Sequence, residues 1–324
     1  MNMKIRNILL VAIAVMALTI SCKKDKETTV QPSLSGMYFE IIPYLRVGQQ
    51  VKVTPLSVTH PEGKEVGYYW QVDTGQKDTV KKESTPGPVD ISKTFSFSEQ
   101  GTHTIYCGAF AKGYYSSTYS VKVTVVDPEL GGMVSDNGIE ASEPSVQDVR
   151  TGGNVGENTY YFTRIGSLDW MRNNLAYNAS GIAYMDSEVT SYPLGRYYNW
   201  NEAQTACPDG WRMPTIAEWQ SLGTVAGDLM ADAKLMGEKF WEFWPKVKIT
   251  DALQFAAIPA GYAITGASSN RFEGFGDYAA FWSADEYSGN ASQAEYVYIF
   301  EQDPDVKYGQ GDKASLALSV RCVR

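Results

Sequence analysis

The stretch Gly195–Trp219, GRYYNWNEAQTACPDGWRMPTIAEW, decides how the rest of the chain is read. Trp200, Ala203, Gln204 and Cys207 are spaced for one face of a short helix, and Pro208-Asp209-Gly210 is a turn that ends it. A second helix opens at once. Thr215 stands where an N-cap would, and Glu218 follows three residues later, the spacing at which a carboxylate reaches back to the cap's own amide. Trp211, Trp219 and Leu222 then carry apolar surface that must be buried.

Working outward, this block resembles the C-P-x-G-W-R-x-P-T-x-x-E-W signature of the Fibrobacter succinogenes major paralogous domain, a module of secreted bacterial proteins. Ile165-Gly166-Ser167-Leu168-Asp169-Trp170-Met171 with Asn174-Leu175 resembles the family's opening I-G-x-x-x-W-M-x-x-N-L. Ile258-Pro259-Ala260-Gly261-Tyr262, Gly276-Asp277-Tyr278 and Phe281-Trp282-Ser283 follow in the family's order, and Ser319-Val320-Arg321-Cys322-Val323-Arg324 matches its ending. The resemblance spans residues 147–324 and implies an α+β domain related to the C-type lectin-like fold. The W-R-x-P-T-x-x-E-W segment is also similar to one in formylglycine-generating enzymes. Strands are expected at 159–165, 254–258, 278–283, 295–299 and 316–323, and helices at 200–206, 215–223 and 229–241.

With 324 residues the chain has room for two domains, and 44% hydrophobic with 13% aromatic residues supplies packed cores. A net charge of −9 argues against a nucleic-acid partner, because a polyanion would be repelled. Residues 35–127 carry short alternating segments between turn signals: 38–43, 50–56, 66–72, 93–97, 103–110 and 118–126. That rhythm is expected of a β-sandwich. Tyr68, Trp70 and Val72 share one strand face, as do Ile105, Cys107 and Ala109, and Trp70 is the natural central plug. Tyr69–Gly75 and Phe97–Ile105 resemble two strand entries of PKD domains, which are immunoglobulin-like. His103 is expected to be half-buried and structural, and His60, beside Pro61, to be a solvated loop residue.

The ends and joints have their own composition. Residues 1–21 place Lys4 and Arg6 before the apolar run Ile8–Ile20, which is the pattern of an export signal. Ile20-Ser21-Cys22 resembles the end of a bacterial lipobox, implying lipidation of Cys22, and the charged residues after it are similar to the starts of Bacteroidetes surface lipoproteins. The expectation is an outer-membrane protein held by a lipid anchor and exposed at the cell surface. Residues 22–34 are polar and expected to be a flexible tether. Residues 128–146, rich in Gly and Ser, are expected to be a second linker.

If Cys22 carries lipid, three of the four cysteines remain, and an odd number leaves at least one thiol unpaired. Cys107 reads as a small buried hydrophobe. Cys207 and Cys322 resemble, in position, the long-range disulfide of the C-type lectin-like fold, and the resemblance implies that they are bonded. Two histidines and scattered cysteines do not make a zinc set. Glu301, Asp303, Asp305 and Asp312 are oxygen donors of the kind calcium takes, but an acidic loop in an acidic chain is first of all a solvated face. No metal site and no cofactor are expected. No nucleophile elbow, P-loop or dinucleotide pattern occurs, and Glu218 is better placed as a cap or partner of Arg212 than as a general acid. The run Phe240-Trp241-Glu242-Phe243-Trp244 is expected to serve mainly as core. Function is expected to be non-catalytic binding or adhesion towards a glycan or a host or partner protein. Inter-strand loops would supply Arg271, Phe272, Tyr287, Asp303, Asp305 and Tyr308 as the contact set. The competing expectations are a structural surface-layer component and, further off, a modifying enzyme. Metabolic labelling with a fatty acid should tag the wild type and not Cys22→Ala; equal labelling of the two would refute the anchor.

Overall fold

The computed structural model describes residues 31–127, 133–150, 159–241, 247–266 and 268–324. Cys22 and the export segment lie outside them, as do Phe243 and Trp244. The described residues are rich in β-structure, and the helices among them are short.

The N-terminal unit contains β1 (Tyr44–Arg46), β2 (Val51–Val53), β3 (Gly67–Val72), β4 (Asp78–Lys81), β5 (Lys93–Phe95), β6 (Gly101–Phe110) and β7 (Ser117–Val126). Five strands form one sheet in the order β1-β7-β6-β3-β4, and β2 pairs with β5 in a second. Both sheets contribute to a single core, with Val53 and Phe95 from the small sheet meeting Trp70, Ile105 and Val123 from the large one. Trp70 is fully buried, its indole N–H donates to Ile91 O at 2.9 Å, and Phe39 and Phe95 meet its ring edge-on. The strand expected at 38–43 is absent. Pairing starts only beyond Pro43, which has no N–H to donate, and β1 then runs parallel to β7. Cys107 is a free, buried thiol whose pKa burial pushes up to about 12. His103 is half-buried between Asp73, 2.9 Å from its Nδ1, and the ring of Phe97. His60 corrects its expectation: it is buried against Tyr114, and its Nδ1 accepts the Glu62 amide N–H at 3.1 Å.

The described part of the expected linker is structured. β8 (Val134–Ser135) pairs with β13 (Lys234–Leu235), and β9 (Ser145–Gln147) pairs with β10 (Thr159–Ile165), so residues 133–147 belong to the second unit. That unit continues with β11 (Leu168–Met171), β12 (Tyr198–Asn199), β14 (Glu238–Lys239), β15 (Tyr262–Ile264), β16 (Arg271–Glu273), β17 (Tyr278–Glu286), β18 (Gln293–Phe300), β19 (Lys307–Asp312) and β20 (Leu316–Leu318). Two of its sheets matter most here: β12-β20-β15-β16 and the antiparallel β17-β18-β19.

Of its helices, α1 (Ser191–Leu194) was not expected, whereas α2 (Trp200–Ala203) and α3 (Ile216–Ser221) were. Both expected helices begin in a capping box: Asn199 with Glu202, and Thr215 with Glu218. The helix expected at 229–241 does not form. Met236 and Gly237 take positive φ and turn the chain into the β13–β14 hairpin, and Leu229, Ala233 and Phe240 reach the core from that hairpin and its approach. Trp241 is buried, and Cys207 is bonded to Cys322 across 115 residues. A closed loop of that size is credited with roughly 4 to 5 kcal/mol of chain entropy removed from the unfolded state.

The strand expected at 254–258 is also absent, and the reason lies at the centre of the unit. Gln254 and Ala256 adopt positive φ, which breaks the extended run, and the carbonyls of Phe255 and Ala256 both meet Arg321. Arg321 is 1% exposed. It donates to Phe255 O (2.7 Å), Ala256 O (2.9 Å), Met171 O (3.1 Å) and Asn174 Oδ1 (2.7 Å), and its guanidinium lies over the rings of Phe255 and Phe281. Burial lowers its pKa to about 9, so it stays charged at neutral pH.

Arg321→Met should cost at least about 4 kcal/mol in urea unfolding, because four buried acceptors lose their donor at once; a loss under about 1 kcal/mol would contradict this role. A second expectation concerns acid. The Arg212 guanidinium, joined by the Thr215 amide, holds the Glu218 carboxyl at about 2 against an ordinary 4.5. Since the folded-state pKa is the lower one, this stabilisation is complete above pH 4.5 and is lost as pH falls towards 2. Glu218→Gln should therefore be about 1 kcal/mol less stable at neutral pH, with the gap to wild type closing below that window.

Candidate functional site

Alternation along β18 places Tyr296, Tyr298 and Phe300 on one face and Val297 and Ile299, both buried, on the other. Register then sets their neighbours: Tyr278 lies opposite Phe300, Ala280 opposite Tyr298, and Gly309 opposite Tyr296. Tyr262, Leu316 and Leu318 approach from β15 and β20 of the adjoining sheet. Together Tyr262, Tyr278, Ala280, Tyr296, Tyr298, Leu316 and Leu318 line an open cleft of about 300 Å³. Ala280 and Leu318 are buried at its base, and the four tyrosines are half-buried along it.

Small residues make the space. A Cβ on Gly309 would come 2.6 Å from the Tyr296 ring, so a side chain there would displace that ring. At Gly261, with φ +74°, a Cβ would come 2.4 Å from Glu273 O, so only glycine lets β15 and β16 meet as closely as they do before Tyr262. The rings of Tyr278 and Tyr298 are 6.1 Å apart and tilted by 42°, and those of Tyr296 and Tyr298 are 5.9 Å apart and tilted by 40°. Tyr262 stands nearly perpendicular to Tyr278 at 6.3 Å, and Phe300 stacks beside Tyr278 at 4.5 Å. The result is a curved aromatic wall.

The wall is uncharged. Tyr262 donates its hydroxyl to Glu273 Oε2 at 3.1 Å, and the other oxygen of that carboxylate pairs with Arg271 at 3.3 Å. Burial, with Glu273 adding to it, pushes the Tyr262 phenol up to about 12, and burial also raises Tyr278 and Tyr296. These three phenols are therefore protonated across the physiological range. The hydroxyls of Tyr278, Tyr296 and Tyr298 have no hydrogen-bond partner within the described residues. Each can both donate and accept, and each ring offers a face.

The six residues expected to form one contact set are not brought together. Arg271 is exposed and paired with Glu273, so it borders the cleft only through that carboxylate. Phe272 packs edge-on to Tyr184 at 5.4 Å and near Tyr197, as part of a small core. Asp303 and Asp305 sit in the β18–β19 turn, and both pair with Lys307, at 3.1 and 3.6 Å. Tyr308 lies opposite Val297, so it packs on the face away from the cleft. Tyr287 is in the β17–β18 turn at the other end of the same sheet, about 24 Å away along an eight-residue strand. Loops at opposite ends of one antiparallel sheet cannot share a ligand of modest size. Sequence reasoning missed the tyrosines as a set because Tyr262 lies outside every expected strand and Tyr278, Tyr296 and Tyr298 fall in two different ones; the Tyr-x-Tyr-x-Phe alternation of 296–300 was the available signal.

Glu218 holds Arg212 and caps α3, which leaves its carboxylate occupied. Among the described residues no group of three or more His, Cys, Asp or Glu is placed to hold a metal ion. No curated protein matches the chain significantly. A sequence profile described as the Fibrobacter succinogenes major domain matches residues 163–324, which spans α2, α3, the disulfide and every residue lining the cleft. The chain belongs to the Fibrobacter succinogenes major domain family.

Proposed function

We propose that this chain is a lipid-anchored cell-surface protein of the outer membrane with a non-catalytic binding or adhesion role, exercised through the tyrosine-lined cleft of its C-terminal unit. Two sheets packed on one core support reading the N-terminal unit as an immunoglobulin-like sandwich that acts as a spacer. The long-range disulfide and the capped helix after it support a lectin-like reading of the C-terminal unit. The observation that carries the proposal is the cleft itself: an open concavity, walled by four rings, with three phenol hydroxyls that the protein leaves unused. The fully buried Tyr197 and Tyr198 spend their hydroxyls on Ala260 O and Tyr177 O, whereas those of the half-buried Tyr278, Tyr296 and Tyr298 reach solvent and stay available to a ligand.

Binding by such a wall needs no nucleophile and no tuned acid–base pair; it needs ring faces and neutral hydrogen-bonding groups at fixed positions. The full mature chain should show saturable binding on glycan and protein arrays, and Tyr278→Ala/Tyr298→Ala should lose it while keeping the wild-type melting curve within a few degrees. Absence of saturable binding, or binding that this double substitution leaves unchanged, would refute the proposal and favour a purely structural surface component.

A further inference from the structure

The proposal leaves open what chemistry fills the cleft, and its walls narrow the choice. Every lining side chain is uncharged. Glu273, the carboxylate that accepts from Tyr262, is shared with Arg271, and Lys307, opposite Tyr298, is paired with Asp303 and Asp305. An anionic ligand would therefore have to displace Asp303 and Asp305 from Lys307, in a chain whose net charge is −9. A quaternary ammonium would use the ring faces but has no hydrogen bond to exchange, so the three unpartnered hydroxyls would remain idle. A proline-rich peptide presents carbonyl acceptors and is commonly met by indole N–H donors between aromatic ridges. Both indoles beside the cleft are already committed: Trp282 Nε1 donates to Tyr198 O and Trp200 Nε1 to Ser283 O, each at 2.8 Å.

What remains is a ligand with apolar C–H faces to lay against rings and with hydroxyls that both give and take hydrogen bonds. Resting on the binding role proposed above, we infer that the cleft takes an uncharged saccharide. One or two sugar units lie against the rings of Tyr278, Tyr296 and Tyr298, with their hydroxyls meeting the three free phenol oxygens. The volume of about 300 Å³ fits this scale, being at the low end of the range of small-molecule pockets. The open side of the cleft lets a longer chain continue into solvent. Tyr262 acts as a fixed wall, since its hydroxyl is spent on Glu273.

Calorimetry on the full mature chain decides this with four probes: a panel of neutral di- to tetrasaccharides, the corresponding uronic-acid oligosaccharides, choline, and a proline-rich peptide. At least one neutral saccharide should bind, with affinity changing less than about twofold between low and high salt because no ion pair contributes. Tyr278→Ala and Tyr298→Ala should each weaken it by about tenfold. Tyr298→Phe, which keeps the ring and the fold, should weaken it about threefold through loss of one hydroxyl. Cleft-dependent binding of the uronic-acid probes, choline or the peptide, with no neutral saccharide bound, overturns the ligand class while the binding role stands. Failure of all four probes to bind through the cleft, together with array binding that survives these substitutions, overturns both.

Discussion

A charged guanidinium with almost no solvent contact organises the C-terminal unit. Arg321 collects carbonyls from two separate segments, 171 and 255–256, and the side-chain oxygen of Asn174, in one plane of donors. An arginine buried at 1% exposure without such acceptors would be untenable, and the acceptors without it would be equally so. The dependence therefore runs both ways. Backbone that would otherwise continue as a strand at 254–258 is bent, with positive φ at Gln254 and Ala256, so that two consecutive carbonyls reach one side chain. Asp251 accepts the Ala256 amide N–H at 2.8 Å and steadies that bend, and burial raises its own carboxyl pKa. Cys322 follows directly, so the residue beside the buried charge is also the one tied to the end of the α2 segment.

That arrangement explains where the cleft falls. The C-terminal run leaves β20 at Leu318 and passes beneath β17, with Ser319 bridged to Phe281 and Val323 to both Trp170 and Arg212. Phe281 faces Arg321 and the aromatic core of Trp170, Trp219 and Phe255, while its neighbours Ala280 and Trp282 face the other way. One side of the β17-β18-β19 sheet is thus fully used by the core. The opposite side is covered by Trp282, Trp200 and Leu318 near β12 and β20 but opens towards Phe300, where Tyr278, Tyr296 and Tyr298 stand beside Ala280 and Leu316. The cleft is the uncovered end of a sheet whose other face is fixed by the buried charge.

Much of this was legible in the sequence, and the limits of legibility have physical causes. The capping box at Thr215 and Glu218 was readable because its signal is local, two residues at fixed spacing. The core faces of β3 and β6, with Trp70 between them, were readable because period-two alternation survives any tertiary context. The helix expected at 229–241 failed because apolar spacing alone does not distinguish a helix from a hairpin, and Gly237 in a left-handed turn decided the matter. The disulfide came from resemblance, and the structure contains it. The contact set is dispersed for a different reason: Arg271, Tyr287 and Asp303 are all loop or edge residues, but which loops converge is a property of sheet order, and sheet order is non-local. The tyrosine cleft needs Tyr262 from one sheet and Tyr298 from another, separated by the register of three strands.

The same non-locality governs how the two units meet. The end of β7 contributes Val126, fully buried, to a cluster with Met133, Val189, Phe240 and Ile258 of the second unit. Tyr44 N donates to Ser187 Oγ at 3.3 Å, and its ring lies 5.9 Å from Tyr184. Tyr184 in turn stacks on Phe275 at 4.3 Å, one residue beyond the Gly274 turn that leads into Tyr278. A sequence rich in Gly and Ser suggested a loose joint there, but composition reports only what a segment cannot bury by itself. Residues 133–147 bury little of their own and are instead held by strands β10 and β13, which arrive later in the chain. The N-terminal sheet consequently docks on the 184–191 segment, beside the stack of Tyr184 on Phe275. The two units are thus joined by packed side chains as well as by the chain that connects them.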